Sequence, residues 1–212
     1  MIIAVDGPTA SGKGTIAKAL AAHFGLPHLD TGLLYRAVGR QVQLNCGDPD
    51  NPDDALAATA FSDELLAEEI LRSEETGGLA SRVSVHPAVR QALYERQRAF
   101  AQQPGGAVLD GRDIGTVIAP EAEVKLFVTA SVEARAQRRW LEMTGREIDI
   151  PLMEIEQDIV RRDARDINRK DAPLKAAADA LILDTTKFNK EQSIEAAIEA
   201  VQSALAARQR NH

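Results

Sequence analysis

The sequence predicts an α/β protein, a doubly wound sheet of five parallel strands flanked by helices. Two observations carry this prediction. Short apolar runs alternate with segments of helical periodicity along the whole chain, the pattern of repeated βαβ units. The first run, Met1-Ile2-Ile3-Ala4-Val5, passes directly into a glycine-rich turn and then a helical stretch. In open sheets of this kind ligands gather at the carboxyl ends of the strands, so the residues that follow each apolar run are the first place to look for chemistry.

The elements follow in order. Ile2 to Val5 is apolar throughout, as in a strand buried on both faces. Ile16, Ala19, Leu20 and Phe24 recur at helical spacing, and Gly25-Leu26-Pro27 ends that helix. His28-Leu29 is a short strand; Asp30-Thr31-Gly32 opens a helix that ends near Asn45-Cys46-Gly47. A loop of prolines and acids, Asp48 to Asp54, precedes a weakly amphipathic helix from Asp54 to Arg72 and a polar loop from Ser73 to Gly78. His86-Pro87 opens a helix with Val89, Leu93 and Phe100 on one stripe, stopped by Pro104-Gly105-Gly106. Ala107-Val108-Leu109 and Val124 to Val128 are strands. Helices follow over Val132–Met143 and Leu152–Asn168. Ala180 to Leu183 is the last strand, ending at Asp184, and a helix from Glu191 to Arg208 closes the chain.

The 212 residues, 44% of them hydrophobic, suit one α/β domain with insertions. The only cysteine, Cys46, excludes an intramolecular disulfide and a cysteine-based metal site. His23, His28, His86 and His212 show no zinc-ligand spacing. The net charge of −7 is concentrated in residues 37–80, which hold ten acidic residues against Arg40 and Arg72. A basic footprint for nucleic acid is missing, and with eight aromatic residues an aromatic stacking surface is not expected either. No apolar run reaches the ~18 residues of a membrane helix, and the amino terminus reads as a strand rather than a signal peptide. The expectation is a cytoplasmic monomer that meets neither membrane nor nucleic-acid polymer.

The turn after the first strand reads Asp6-Gly7-Pro8-Thr9-Ala10-Ser11-Gly12-Lys13-Gly14-Thr15. This is G-x-x-x-x-G-K between a strand and a helix, the context in which backbone N–H groups cradle a nucleoside triphosphate. The helix amino terminus adds unpaired N–H groups and a positive dipole end, and Lys13 adds a point charge for the outer phosphates. The usual motif has Ser or Thr directly after the lysine to reach Mg2+; here Gly14 intervenes and the hydroxyl belongs to Thr15. The string G-K-G-T resembles the nucleoside monophosphate kinases.

Four further groups bear on an acceptor. Asp30-Thr31-Gly32 with Arg36 opens a helix where an anion could sit, although a plain helix cap with a solvated arginine reads equally well. Asp110-Gly111-Arg112-Asp113 ends an apolar strand, where a carboxylate such as Asp110 holds magnesium in phosphate-loop folds. Arg135, Arg138 and Arg139, at i, i+3, i+4, share a helix face and could clamp a triphosphate; a solvated face is the bland alternative. Finally, Ile155, Ile159, Arg162, Asp166 and Arg169 form one helical stripe that begins apolar and turns charged. Such a face should leave the core and line a cleft, unless it is only a salt-bridged helix end.

Together these segments resemble the bacterial cytidylate kinases. The likeness rests on Val5 to Thr15, Asp30-Thr31-Gly32…Tyr35-Arg36, Ser81…Pro87…Val89-Arg90, Arg96 to Phe100, Asp110 to Val117, Arg162-Asp163…Arg165-Asp166…Asn168-Arg169, and Ala178 to Thr186. It spans nearly the whole chain except residues 45–80. The resemblance implies phosphorylation of CMP and dCMP by ATP with Mg2+. It implies that Gly7, Pro8, Thr9, Ala10, Ser11, Gly12, Lys13, Gly14 and Thr15 bind ATP, with Thr15 and Asp110 at the metal. Thr31, Arg36, Arg112 and Arg169 would take the acceptor phosphate, Ser81, Arg90 and Asp113 the cytosine edge, and Arg162 and Asp166 the sugar. Arg135, Arg138 and Arg139 would be lid arginines, acting with Lys13 and Arg112 in transfer. It also implies an acceptor-side insert over 37–80, here acidic and helical, and a short lid over 138–160. A kinase for another nucleotide or a shikimate-type acceptor, or a nucleotide-gated switch, remains open on the motifs alone.

Overall fold

A computed structural model of the chain describes residues 1–145 and 150–210. Five strands form one parallel sheet: β1 (Ile2–Asp6), β2 (His28–Asp30), β3 (Ala107–Gly111), β4 (Val124–Thr129) and β5 (Leu181–Asp184), in the order β2-β3-β1-β4-β5. The predicted strands are all present. β1 is central, and Ile3, Ala4 and Val5 have no exposed surface, which is why that run is apolar at every position.

Helices cover both faces. On one, α1 (Lys13–Phe24) and α8 (Lys190–Arg210) bury Ile16, Ala17, Leu20, Ala197 and Val201 against Val5, Leu126 and Val128. On the other, a single π-helical turn, Ile114–Ile118, and Ala101 pack on Ala4 and Leu109. A second body of helices stands beside the sheet edge: α2 (Thr31–Leu44), α3 (Pro52–Ala57), α4 (Glu74–Val83) and α5 (Pro87–Ala101), closed around Leu34, Val38, Val42, Val83, Val89 and Leu93. α6 (Val132–Thr144) and α7 (Leu152–Asn168) pack on one another through Ala136, Met143, Ile155 and Ile159, with Trp140 against them.

Residues 45–80 depart from the sequence reading. The expected helix from Asp54 to Arg72 is instead α3 followed by two 3-10 turns, Asp63–Ala67 and Glu69–Arg72. A weakly amphipathic segment has no continuous face to bury. The short turns bury Leu65 and Leu71 separately against Ala37 of α2. The expected polar loop Ser73–Gly78 is instead the start of α4, capped by the Ser73 hydroxyl, which accepts from the Thr76 N–H at 3.2 Å. Part of the expected lid, residues 146–149, lies outside the described residues.

Candidate active site

The phosphate loop is shaped by two backbone requirements. Gly12 caps α1 with φ of 88°, a left-handed conformation costly for residues with a Cβ. A Cβ on Gly7 would lie 2.1 Å from the Val128 carbonyl oxygen, so the loop can run this close to β4 only as glycine. Lys13 folds back on the loop, its Nζ donating to the Pro8 carbonyl at 3.3 Å. Burial pulls the Lys13 ammonium down to about 8, and nearby Arg112 adds to this.

From Thr9 to Thr15 the loop forms one wall of a cavity of about 690 Å3. The same cavity is lined by Thr31, Arg36, Ser81, Arg90, Asp110, Arg112, Asp113, Arg139, Arg162, Asp166 and Arg169. All the residues tied to the acceptor by the family resemblance therefore converge opposite the phosphate loop. Gly7 and Pro8 do not line the cavity.

The carboxyl ends of β3 and β2 supply the floor. Asp110 is buried, its Oδ1 2.7 Å from His28 Nε2, and Thr31 Oγ1 donates to its backbone carbonyl at 2.8 Å. Asp30 lines the cavity as well; burial, and then the neighbouring Asp110, push its carboxyl up. Arg112 spans the gap between the two halves of the site. Its Nε donates to Asp166 Oδ2 at 2.6 Å and its Nη2 to Thr9 Oγ1 at 3.0 Å. Asp113 is shared by Arg90, which bonds one carboxylate oxygen, and Arg169, whose Nη2 lies 3.5 Å from the other. Arg90 also lies over the Tyr35 ring, 5.6 Å from its centroid. Among the described residues the buried Ser81 hydroxyl in the wall has no hydrogen-bond partner, and Arg169 Nη2 has none beyond its ion pair with Asp113. Buried polar atoms left unmatched at a cavity wall are what a polar ligand edge would satisfy.

The other arginines are already engaged. Arg36 donates to the carbonyls of Leu71 and Ser73 at 2.8 and 2.7 Å, and burial lowers it to about 10. Arg162 Nη2 donates to Glu74 Oε2 at 3.0 Å, and its Nε is 2.7 Å from Asp158. Arg139 pairs with Glu74 and with Glu142. Gly77 makes room for this cluster, since a Cβ there would lie 2.7 Å from Arg162 Nη1 and 2.9 Å from Arg36 Nη2.

Arg135, Arg138 and Arg139 do not form one clamp. Arg135 is buried; its Nη1 donates to the Thr9 carbonyl at 2.9 Å and pairs with Asp163 at 2.6 Å. Arg138 turns toward residues 185–188, donating to Thr185 Oγ1 at 3.1 Å. Only Arg139 lines the cavity. Three residues on one helix face diverge because their long side chains follow different neighbours: the phosphate loop, the end of β5, and α4.

Sequence reasoning missed Asp163, Glu74 and His28. Asp163 Oδ1 accepts from the Thr9 N–H at 3.2 Å, which ties α7 to the phosphate loop. Its place in Arg162-Asp163 was visible, but off the charged stripe. Glu74 fell within the segment expected to be a loop.

A profile of the cytidylate kinase family matches residues 3–203. A protein of Methylocella silvestris named cytidylate kinase is 54% identical over 207 residues, covering 96% of this chain and 95% of its own. A Cereibacter sphaeroides protein of the same name is 54% identical over 200 residues, covering 94% of each chain. Among solved structures, that of an uncharacterized protein from Eubacterium ventriosum superposes with a TM-score of 0.55 at 14% identity, covering 96% of this chain and 99% of its own, a likeness of fold alone. A family profile spanning nearly the whole chain, and relatives above half identity over nearly full length, establish that the chain belongs to the cytidylate kinase family.

Proposed function

We propose that this protein transfers the γ-phosphoryl group of ATP to CMP and dCMP, giving CDP and dCDP. The observation that carries the reading is Arg112, which links the phosphate loop at Thr9 to the opposite wall at Asp166 within one cavity. A guanidinium there lies between a donor phosphate and an acceptor phosphate. It neutralises charge on the transferring group, a contribution of about 10³–10⁵ in rate where an arginine is well placed.

Residues 7–15 hold the triphosphate by their N–H groups, with Lys13 on its outer phosphates. Thr31, Arg36, Arg112 and Arg169 hold the monophosphate. Arg162 and Asp166 meet the sugar, and Ser81, Arg90 and Asp113 read the base. Cytosine offers an amine that donates and a ring nitrogen and carbonyl that accept. Asp113 can take the amine while Arg90 serves the acceptors. Arg139 approaches the phosphates, Arg135 fixes the loop from behind, and Arg138 borders the donor side. The helices over 37–80 form the acceptor-side wall, and the segment over 138–160 acts as the lid. No side-chain base is required, because positioning and charge neutralisation carry phosphoryl transfer.

The residues fit a magnesium ion. One Asp110 oxygen is held by His28, while Oδ2 faces the loop, 3.6 Å from where a Gly14 Cβ would be. Thr15 lines the same cavity. Among the described residues no three His, Cys, Asp or Glu side chains gather to hold an ion by themselves. That suits a cation whose other ligands are water and phosphate oxygens. Held by Thr15 and Asp110, magnesium would neutralise charge developing between the outer phosphates.

No helix among the described residues is long and apolar enough to cross a membrane. The reading is of a cytoplasmic monomer acting on free nucleotides. A coupled assay with ATP, magnesium and each nucleoside monophosphate tests it. CMP and dCMP should be turned over fastest; AMP or UMP turned over faster than CMP would overturn it.

A further inference from the structure

The structure assigns Asp6 as the residue that positions the base-reading turn relative to the phosphate loop; this rests on the kinase reading above. Asp6 is the last residue of β1, immediately before Gly7, yet it does not line the cavity. Its side chain reaches the segment that follows β3. Oδ1 accepts from the Ile114 N–H and Oδ2 from the Gly115 N–H, both at 2.8 Å. Those N–H groups begin the π-helical turn Ile114–Ile118, whose flanking residue is Asp113. Further along the turn, the N–H groups of Val117 and Ile118 bond the Asp113 carbonyl, at 2.8 and 3.2 Å. Helical turns leave their first N–H groups without internal partners. Here one carboxylate takes two of them, and so fixes the backbone on which Arg112 and Asp113 stand. The strand that delivers the donor loop thus also holds the acceptor-reading turn.

Asp6 is an expensive choice for this task. It is 4% exposed and, among the described residues, has no cationic partner within 4 Å, so burial pushes its carboxyl up to about 7. The nearest charged influences, Asp113 and Lys13, oppose each other. A neutral side chain would be easier to bury, but at this size only a carboxylate offers a separate acceptor oxygen to each of the two N–H groups. Departures from a local rule of this kind concentrate where function demands them.

The test is Asp6→Asn, which keeps the size but turns an N–H donor toward one of the two N–H groups. Calorimetric titration should show CMP binding weakened about 10- to 100-fold, the loss of one charge-assisted bond. ATP binding should change less than about threefold, since the loop keeps its own glycine geometry. Discrimination of CMP over UMP in kcat/KM should fall as well. A purely structural role would lower the melting temperature and weaken both ligands alike, and that result would overturn the assignment. If Asp6→Asn does not fold, Gly115→Ala reaches the same turn. Its Cβ would lie 3.1 Å from Lys125 Cδ and 3.4 Å from Asp6 Oδ2, crowding the bond from the other side. The same separation of CMP from ATP binding is expected, and equal effects on both, or none, would again overturn it. Wild-type protein run alongside keeps the two questions apart: failure of the wild type to phosphorylate CMP would sink the substrate reading, whereas the variant-to-wild-type ratios test Asp6.

Discussion

If Asp113 meets the base, as proposed, Asp113→Asn is the sharpest probe of how the base is read. In the structure this carboxylate is shared by Arg90 and Arg169, with Asp113 and Arg169 buried. The substitution keeps the volume, removes the charge and leaves both guanidinium groups facing an amide that accepts from one side only. Hydrogen bonds to a charged partner contribute about 1.5–3 kcal/mol each, and neutral ones about 0.5–1.5. The Arg90 bond and the proposed bond from the cytosine amine should each weaken by about 1 kcal/mol or slightly more, and the Arg169 ion pair is lost as well. Allowing for non-additivity among neighbours, the loss is about 2–4 kcal/mol, or about 30- to 1000-fold in kcat/KM for CMP. UMP should behave differently. On the proposed reading its carbonyl would face the Asp113 carboxylate unfavourably in the wild type, whereas the asparagine amide could turn its NH2 toward that carbonyl. The UMP value should hold or rise, collapsing the preference. A coupled assay on CMP, dCMP and UMP, with the KM for ATP measured in the same series, decides it. Equal losses for CMP and UMP, or an ATP KM that climbs as far as that of CMP, would refute the reasoning.

Other outcomes follow from the same geometry. Lys13→Ala should lower kcat by about 100-fold or more, since it removes charge from the transferring phosphates, while CMP binding measured by calorimetry stays within about twofold; a matching loss of CMP affinity would contradict this. Gly7→Ala places a Cβ 2.1 Å from the Val128 carbonyl oxygen. ATP binding should be lost, and the melting temperature should drop by about 2–4 °C for each kcal/mol of overpacking; normal ATP affinity would contradict it. Asp6 has a signed pH signature. With its carboxyl raised to about 7 from an ordinary 3.8, the folded chain holds a proton there that the unfolded chain has released. Its contribution to stability therefore weakens as pH rises between those values. In urea melts, the stability of Asp6→Asn relative to wild type should improve from pH 5 to pH 8; a constant gap would contradict it.

The sheet was legible because each buried strand is a short apolar run ending at a polar turn, and two-sided burial leaves no other composition for Ile3 to Val5. The stripe from Ile155 to Arg169 was legible for a similar reason: one helix passes from a packed layer into a cleft, and its periodicity records the change. Residues 45–80 were not. Gly77 and Gly78 look like helix breakers, yet α4 runs through them, because Gly77 has to clear Arg162 and Arg36. The reason for those glycines lies on α2 and α7, far away in the chain. The arginines of α6 failed differently. Their spacing gave the shared face correctly but not where flexible guanidinium groups end up, which depends on Thr9, Thr185 and Glu74.

The arginines around the cavity are not a waiting positive hole. Arg112 rests on Asp166, Arg162 and Arg139 on Glu74, and Arg36 on two carbonyls. A phosphate arriving here exchanges with an internal acceptor rather than filling a vacancy, so its affinity is the difference between two similar interactions. Lysines and arginines still outnumber carboxylates along the cavity, while the chain's net charge of −7 sits in residues 37–80. Diffusing nucleotides, themselves multiply negative, meet a local attraction inside the cleft and a repulsion from that acidic segment. Added salt screens both. Capture of ATP should therefore depend on ionic strength less steeply than at a site whose arginines have no internal partners.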